Sequence, residues 1–331
     1  MLILLTLRRA IHSLWFLKNT HGGVFKKDNI KKASDMMSNF AYILVVRFKN
    51  IKSKYYNNFI SFSKCRNIRG GHYDNGRVVS ADILEITLTD IDFKFLLKAY
   101  AGSYEILESY STYYRYLPIS YINFILEKYE TKTKLKNVEG REIEYALAKN
   151  SFNSLYGMTV TNTIRDCVVY DNIKGWYVKP LTNNEILCKL SEDKAQGFLS
   201  FAYGVWVTAY ARRNLLENAL LLDDYSIYFD TDSIKVASGY NKLIIENYNK
   251  KVIEKLKKVS NELNINFSKF SPLDIKGNSH TLGLFEKEYT SKVNKEYTYK
   301  EFKTLGAKKY AYRTFDNEVK ITVSGVPKAR L

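Results

Sequence analysis

The segment Ser226–Val236, with the sequence SIYFDTDSIKV, determines how the whole chain is interpreted. Apolar stretches flank a polar tip that contains two acids, Asp230 and Asp232, and this pattern predicts a β-hairpin. Two uncompensated carboxylates this close raise each other's pKa, and a divalent cation removes that conflict. Oxygen ligands on a tight hairpin suit Mg²⁺, and a pair of such ions can serve phosphoryl transfer. The alternative is an ordinary turn, because Asp is a favoured turn residue.

A second segment, KNSFNSLYG, begins at Lys149 and predicts a helix with one basic and aromatic face. Lys149, Asn153 and Tyr156 share this face because they are spaced at i, i+4 and i+7, and Tyr145 precedes them by one turn. A cation, an amide and an aromatic ring in a row can hold a nucleotide by its phosphates and its sugar or base. Gly157 is expected to end the helix. The alternative is an amphipathic core helix with a packed Tyr156 and a solvated Lys149.

The charge balance indicates a polyanionic partner. The 331 residues include 51 Lys and Arg against 34 Asp and Glu, a net charge of +17, and 46% of them are apolar. The apolar fraction excludes wholesale disorder, and the charge favours nucleic acid or an anionic surface over a small metabolite. Codon bias is the alternative source of the many Lys and Tyr residues. The three cysteines and four histidines show no disulfide or zinc spacing, which fits a reduced, intracellular setting.

The order of predicted elements is strands, then helices, then strands, which indicates an α+β fold with an antiparallel sheet. Residues 1–23 are interpreted as a leader helix or an irregular appendage, and no apolar run is long enough to span a membrane. Residues 159–199 are expected to form short strands and loops. Strands are predicted at Phe40–Phe48, Val78–Thr89 and within 282–323, turns at Arg69–Gly71 and Asp74–Gly76, and helices within 90–129, 143–155, 201–222 and 242–263.

Together the two segments resemble motifs of family B DNA polymerases, particularly the protein-primed branch of phages and linear plasmids. The segment that begins at Lys149 resembles motif B of the fingers, and Tyr228–Ser233 (YFDTDS) resembles motif C of the palm. Lys308-Lys309-Tyr310 is similar to the KxY motif near the primer terminus. The preceding Leu282–Glu288 also resembles the family, and the resemblance covers roughly residues 40–325.

The resemblance implies a role for each matching residue. Asp232 is expected to be the principal ligand of two Mg²⁺ (or Mn²⁺) ions, with Asp230 as a weaker second ligand. Lys149 is expected to bind the triphosphate of the incoming dNTP. Asn153, Tyr156 and Gly157 are expected to form the pocket for its sugar and base. The residues expected to contact the primer or DNA are Thr231, Lys308 and Tyr310.

The sequence also departs from the family. Motif A, which supplies a further palm aspartate, is not found. The segment DMMSNFA, which begins at Asp35, resembles it only weakly. The exonuclease domain and the thumb are expected to be absent, so that the chain is a partial polymerase palm with helical fingers, truncated at both ends. The expected divisions are an unassigned leader at 1–37, first palm strands at 38–105, fingers helices at 106–160, an insertion at 161–200, and palm with the metal hairpin and primer-contact strand at 201–331.

The resemblance therefore implies templated addition of dNTPs to a primer 3′-OH in phage or plasmid DNA replication. The expected partners are primer-template DNA, dNTPs, a terminal protein that serves as primer and a second polymerase chain that supplies motif A, with no membrane. The expected location is the cytoplasm of an infected or plasmid-bearing cell, or a mitochondrion with a linear plasmid. The alternatives are an inactive remnant that binds DNA or terminal protein, and a basic nucleic-acid-binding protein unrelated to polymerases.

Overall fold

The computed structural model describes residues 2–7, 15–17, 25–160, 164–196, 201–288 and 298–326. The helices are α1 (Asp90–Ala99), α2 (Ile119–Leu135), α3 (Glu142–Thr159), α4 (Asn183–Gln196), α5 (Phe201–Leu222) and α6 (Lys242–Glu262). The strands are β1 (Leu2–Leu7), β2 (Trp15–Leu17), β3 (Lys26–Asp28), β4 (Phe40–Ser53), β5 (Cys65–Arg69), β6 (His72–Asp74), β7 (Arg77–Thr89), β8 (Tyr100–Tyr116), β9 (Cys167–Asp171), β10 (Gly175–Lys179), β11 (Ser226–Asp230), β12 (Ser233–Ala237), β13 (Phe285–Glu288), β14 (Glu301–Gly306), β15 (Lys309–Arg313) and β16 (Val319–Val323).

The largest sheet is antiparallel and has the order β2-β8-β4-β7-β5, with β3 on β8 and β6 on β7. Alternate residues of β4 face the core: Leu44, Val46 and Phe48 are buried, whereas Arg47 on the other face pairs with Glu85. This period of two is why the segment forms a strand. The strands predicted at 40–48 and 78–89 are confirmed.

The turn predicted at Asp74–Gly76 connects β6 to β7. Asp74 pairs with Arg77 across it, and the two residues between them, Asn75 and Gly76, have φ values of 47° and 73°. A two-residue hairpin with positive φ at both positions matches the twist of its strands, and Asn-Gly is the favoured pair for it. The local sequence therefore sets the register of this hairpin.

The prediction of a helix throughout residues 90–129 is wrong in its middle part. After the short helix α1, the chain forms the 17-residue strand β8, which pairs with β4, before α2 begins. The segment is rich in Tyr, Ser and Thr, residues that suit a half-buried pleated surface better than an amphipathic helix. Gly102 has a φ of 132°, and a Cβ there would lie 2.8 Å from the Asn50 carbonyl oxygen, so the close approach of the two strands requires glycine.

Helices α2 and α3 contact each other. Their contact includes the rings of Tyr129 and Phe152, which are 6.2 Å apart, and the buried Trp206 of α5 belongs to the same core cluster. The helix predicted at 143–155 is confirmed, but it does not end at Gly157. It continues to Thr159, and the Val160 amide donates to the Gly157 carbonyl oxygen.

The acidic hairpin lies in a second, four-stranded sheet with the order β11-β12-β1-β13. Strand β1 is antiparallel to both neighbours, with Thr6 opposite Ser233 on one side and Glu286 on the other. The interpretation of residues 1–23 as a leader helix or appendage is therefore wrong for Leu2–Leu7. The strands within residues 40–116 form the other sheet, and in the described part of the chain none of them pairs with the strands of the hairpin.

Helix α5 connects the two sheets. Near its start, the Trp206 indole N–H donates to buried Asp90 at 3.1 Å, and the Tyr114 hydroxyl donates to the same carboxylate at 2.7 Å. Farther along, Arg212 forms a two-pronged contact with Asp92 at 3.0 and 2.8 Å. The last part of α5 packs with Ile234 and Val236 of the hairpin in one core cluster. The helix thus fixes the acidic hairpin relative to the large sheet.

The remaining elements form two small sheets and a helix. Strands β9 and β10 make an antiparallel hairpin, followed by α4, in the region predicted to be an insertion of short strands and loops. Strands β14, β15 and β16 form an antiparallel sheet that carries the predicted primer-contact residues. Within the described part of the chain, no helix has the length and apolar character needed to cross a membrane.

Candidate active site

The hairpin presents its two carboxylates through a very tight connection. Asp230 pairs with Ser233, so only Thr231 and Asp232 lie between the strands, and the Asp232 amide donates to the Asp230 carbonyl oxygen at 2.6 Å. Thr231 has a φ of 53°, a conformation that a β-branched residue adopts only under constraint from its surroundings. The paired strands supply that constraint. The predicted hairpin is confirmed, and both acids lie at the end of a rigid sheet.

A cavity of about 950 Å³ lies between the hairpin and the helices α2 and α3. Its walls include Asp232 from the hairpin, Lys149 and Tyr145 from α3, and Tyr310 from β15. These residues are far apart in the sequence, and the fold brings them to one place. Three of the predicted site residues, Asp232, Lys149 and Tyr310, therefore share a single cavity.

The cavity has a basic side and an acidic side. On the side of α2 and α3 lie Lys149, whose Nζ is 6.0 Å from the centre of the Tyr145 ring, and Lys132, whose Nζ is 5.2 Å from the centre of the Tyr129 ring. On the sheet side lie three acids, Asp232 and the two glutamates of β13, together with two further lysines, Lys235 and Lys287. The lysines of α2 and α3 attract an anion to their side of the cavity.

Other predicted site residues are placed differently. Asn153 is exposed on α3, Gly157 lies in the last turn of that helix, and Thr231 is exposed at the tip of the hairpin; these three are not part of the cavity wall. The side chain of Tyr156 lies outside the described residues. The helix face is therefore only partly directed at the cavity, in contrast to the prediction from its spacing.

Lys308 contacts the hairpin rather than the cavity. Its Nζ lies 3.0 Å from Asp230 Oδ2, and its backbone amide donates to the Tyr228 hydroxyl at 2.8 Å. The hydrogen bond to Asp230 raises the pKa of the Lys308 ammonium above its usual value. Thr231 contributes a further hydrogen bond, because its hydroxyl donates to Asp230 Oδ1 at 3.0 Å. One hairpin carboxylate is thus paired with a residue of the KxY-like segment.

Lys235 is a site residue that sequence reasoning missed. It pairs with Tyr228 across the hairpin and is 3% exposed, and burial lowers its pKa from 10.5 to about 8. Its Nζ lies 4.7 Å from the ring centres of both Tyr228 and Tyr310, and 5.5 Å from that of Phe302. One signal in the sequence could have indicated this residue. Lys235 lies between two apolar strand residues, and because it follows Ser233 by two positions, its side chain is on the same face of the strand as that of Ser233.

A second missed group also lines the cavity. His280 Nε2 is 2.9 Å from Asp274 Oδ2, and Nδ1 of the same ring is 3.8 Å from Glu286 Oε1. The hydrogen bonds from His280 and Asn278 hold the pKa of the Asp274 carboxyl far below its usual range. Glu286 and Glu288 belong to the segment that resembles the family, but their position at the cavity follows only from the pairing of β13 with β1.

Asp35 does not take the place of a motif A aspartate. It lies in a short 3-10 turn, where its carboxylate accepts hydrogen bonds from the Lys32 and Lys31 amides at 2.8 and 3.2 Å. These backbone bonds lower the pKa of the carboxyl, and Asp35 is not part of the cavity wall. Among the described residues, no three His, Cys, Asp or Glu side chains converge as a complete set of metal ligands.

Solved structures of phi29 DNA polymerase share this fold. The complex of that enzyme with primer-template DNA is 16% identical, with a TM-score of 0.64 over 100% of this chain and 52% of the polymerase. The ternary complex with primer-template DNA and incoming nucleotides is 17% identical, with a TM-score of 0.61 over 99% and 51%. The complex with single-stranded DNA is 15% identical, with a TM-score of 0.61 over 99% and 50%. No protein-family model and no curated protein matches the chain.

These similarities confirm the resemblance to a protein-primed family B polymerase at the level of the fold. The likeness extends over the whole of this chain and about half of each polymerase chain. At 15 to 17% identity it concerns the backbone arrangement, and the chemistry of the site depends on the residues described above.

Proposed function

We propose that this chain, which has the fold of phi29 DNA polymerase over half of that enzyme's length, binds primer-template DNA and a dNTP for templated nucleotide addition. The reaction would be attack of the primer 3′-OH on the dNTP α-phosphate, with release of pyrophosphate. The observation that carries this proposal is the meeting of Asp232, Lys149 and Tyr310 around one cavity. Each belongs to a different segment that resembles the polymerase family.

The basic side of the cavity suits a triphosphate. Lys149, Lys132 and Lys136 all contribute to its wall, and flexible ammonium groups bind phosphate oxygens as point charges. The rings beside two of these lysines fix their stems, because Tyr145 lies under Lys149 and Tyr129 under Lys132. The triphosphate would therefore lie against α2 and α3, with Lys149 as its main ligand.

The acidic side has the hard oxygen donors that Mg²⁺ prefers. Asp232 and Asp230 would hold the metal, and Mg²⁺ takes most of its other ligands from water and substrate phosphates, which suits a site with few protein ligands. When bound, the metal would activate the 3′-OH and neutralise charge on the phosphates. Asp230 is paired with Lys308 through one oxygen, which agrees with its expected weaker role.

The primer would be held by the segment around Tyr310. Lys308 and Tyr310 both contact Tyr228: the ring centres of Tyr310 and Tyr228 are 5.3 Å apart, and the Lys308 amide donates to the Tyr228 hydroxyl. A cation can contact a primer phosphate, and a tyrosine can pack against a sugar. Thr231 at the exposed tip would face the same strand.

A second function, DNA binding without chemistry, is favoured by one specific observation. Strand β1, which lies beside the hairpin, has the sequence LILLTL and carries no acid. A two-metal site without a bridging carboxylate loses much of its transition-state stabilisation, whereas binding of DNA through summed positive charge survives. A terminal protein as primer, or a second chain that supplies the missing carboxylate, would be the further partners in a phage or plasmid replicon.

Primer extension by the purified chain with Mg²⁺ and dNTPs separates these functions. The Asp232→Asn variant tests the metal site, and Asp224→Asn is a matched control because Asp224 is exposed in the turn before β11. Extension that is lost in D232N and kept in D224N supports nucleotide addition. Extension that persists in D232N contradicts the assignment of the metal site. DNA binding without extension, with affinity falling steeply as salt increases, supports the second function.

A further inference from the structure

Lys235 is a buried cation whose surroundings consist of aromatic rings. Three rings lie within 5.5 Å of its Nζ, measured to the ring centres, namely those of Tyr228, Phe302 and Tyr310. Among the described residues no carboxylate forms an ion pair with it, although Asp230 and Glu288 are close enough to favour its charged form. With a pKa of about 8, the ammonium is mostly protonated at neutral pH.

The three rings also contact one another and form a continuous aromatic cage. Their centres are 5.3 Å apart for Tyr228 and Tyr310, 5.4 Å for Phe302 and Tyr310, and 5.8 Å for Tyr228 and Phe302. A cation over ring faces gains electrostatic stabilisation, and the gain is larger when water is excluded. The ammonium therefore stabilises this particular arrangement of rings rather than any single contact.

The cage joins two separate sheets. Lys235 and Tyr228 belong to the four-stranded sheet with the acidic hairpin, whereas Phe302 and Tyr310 belong to the sheet of β14 to β16. A second connection between these sheets lies at the tip of the acidic hairpin, where Lys308 contacts Tyr228 and Asp230. The position of Tyr310 relative to Asp232 thus depends on the contents of the cage.

We propose that Lys235 is a positioning residue whose buried ammonium holds the Tyr310 ring against Tyr228, and thereby fixes the primer-contact residues relative to the acidic hairpin. The inference rests on the proposed function and adds a residue to it. Lys235 would not touch the substrate's reacting atoms. It would set the distance between strand β15, which carries Tyr310, and the carboxylates of the acidic hairpin. Loss of its charge would therefore selectively weaken recognition of a primer terminus.

The test measures binding alone, by fluorescence anisotropy with a labelled primer-template and with the same template strand unprimed. The chain is compared with Lys235→Met, which keeps the side-chain length and removes the charge, and with Phe302→Leu, which opens the cage and keeps Lys235. Lys303→Met is the matched control. Lys303 is exposed on β14, so this substitution removes one positive charge from the same strand and leaves the residues of the cage unchanged. Thermal unfolding of each variant is recorded in parallel.

The expected result is a loss of about tenfold in the preference for primed over unprimed template in K235M, with a smaller loss in F302L and none in K303M. An unchanged preference in K235M and F302L overturns the inference, as does an equal loss of affinity for both DNAs. If K235M does not fold, F302L decides by the same criterion. If the unmodified chain itself shows no preference for a primed template, the proposed function fails, and the inference fails with it.

Discussion

The ammonium of Lys308, in the turn between β14 and β15, lies 3.0 Å from the carboxylate of Asp230, which ends strand β11 of another sheet. Both side chains are partly exposed, so the ion pair contributes little to stability. Its effect is positional: Lys308 also has a φ of 56° and donates its amide to Tyr228, which places this residue firmly beside the hairpin tip. The residue expected to hold the primer is thus already in contact with an expected metal ligand.

The Lys308→Met variant is expected to bind primer-template about tenfold more weakly, because a charge-assisted contact to a phosphate is lost. The loss should decrease as salt is added, since that contact is largely electrostatic. Fluorescence anisotropy at two ionic strengths measures the loss of DNA affinity. Lys320→Met is the control, because Lys320 lies in the sheet of β14 to β16 but pairs with Glu318. Equal weakening in both variants would show that only total charge matters.

The Lys149→Met variant is expected to raise the apparent KM for dNTP by about tenfold to a hundredfold, with little change in DNA affinity. Lys149 faces the cavity from α3, where a triphosphate would lie. Lys134→Met is the matched control, because Lys134 is exposed on α2 and pairs with Glu130. Steady-state incorporation at varied dNTP concentration gives the KM. A change in DNA affinity with an unaltered KM would place Lys149 on the DNA instead.

The Asp90→Ala variant is expected to lower the free energy of unfolding by about 2 kcal/mol, because it removes the carboxylate that accepts hydrogen bonds from one buried and one partly buried donor. Those donors are the Tyr114 hydroxyl and the Trp206 indole. Asp90→Asn should cost less, since an amide oxygen can still accept one of these hydrogen bonds. Urea unfolding measures both, with exposed Asp224→Ala as control. An Asp90→Ala variant as stable as the control would exclude this network as the link between α5 and the large sheet.

The stability difference between the unmodified chain and Lys235→Met is expected to depend on pH. The pKa of Lys235 is about 8 in the folded chain and 10.5 as its ordinary value, so between these pH values the unfolded state binds more protons. Folding stability due to this group therefore rises with pH across that window and is lowest below pH 8. Unfolding at pH 7, 8.5 and 10 measures the trend. A difference that stays constant over this range would contradict the burial of a charged Lys235.

Local patterns in the sequence determined much of this protein. The alternation in Ser226–Val236 fixed the acidic hairpin, and the helical period fixed α3, α5 and α6. The Asn-Gly pair fixed the turn between β6 and β7. These features depend on neighbours within a few residues, so side-chain spacing and turn chemistry were sufficient to predict them. That Asp232, Lys149 and Tyr310 belong to one site was implied by the resemblance of their three segments to a single polymerase family, not by local spacing.

Tertiary structure decided the features that depend on distant partners. Whether Leu2–Leu7 is a helix or a strand depends on β12 and β13, and whether Tyr100–Tyr116 is a strand depends on β4. The burial of Lys235 among three rings depends on two sheets that meet only in the folded chain. Such contacts join residues far apart in sequence, and their free energy comes from surface buried between elements rather than from any local preference.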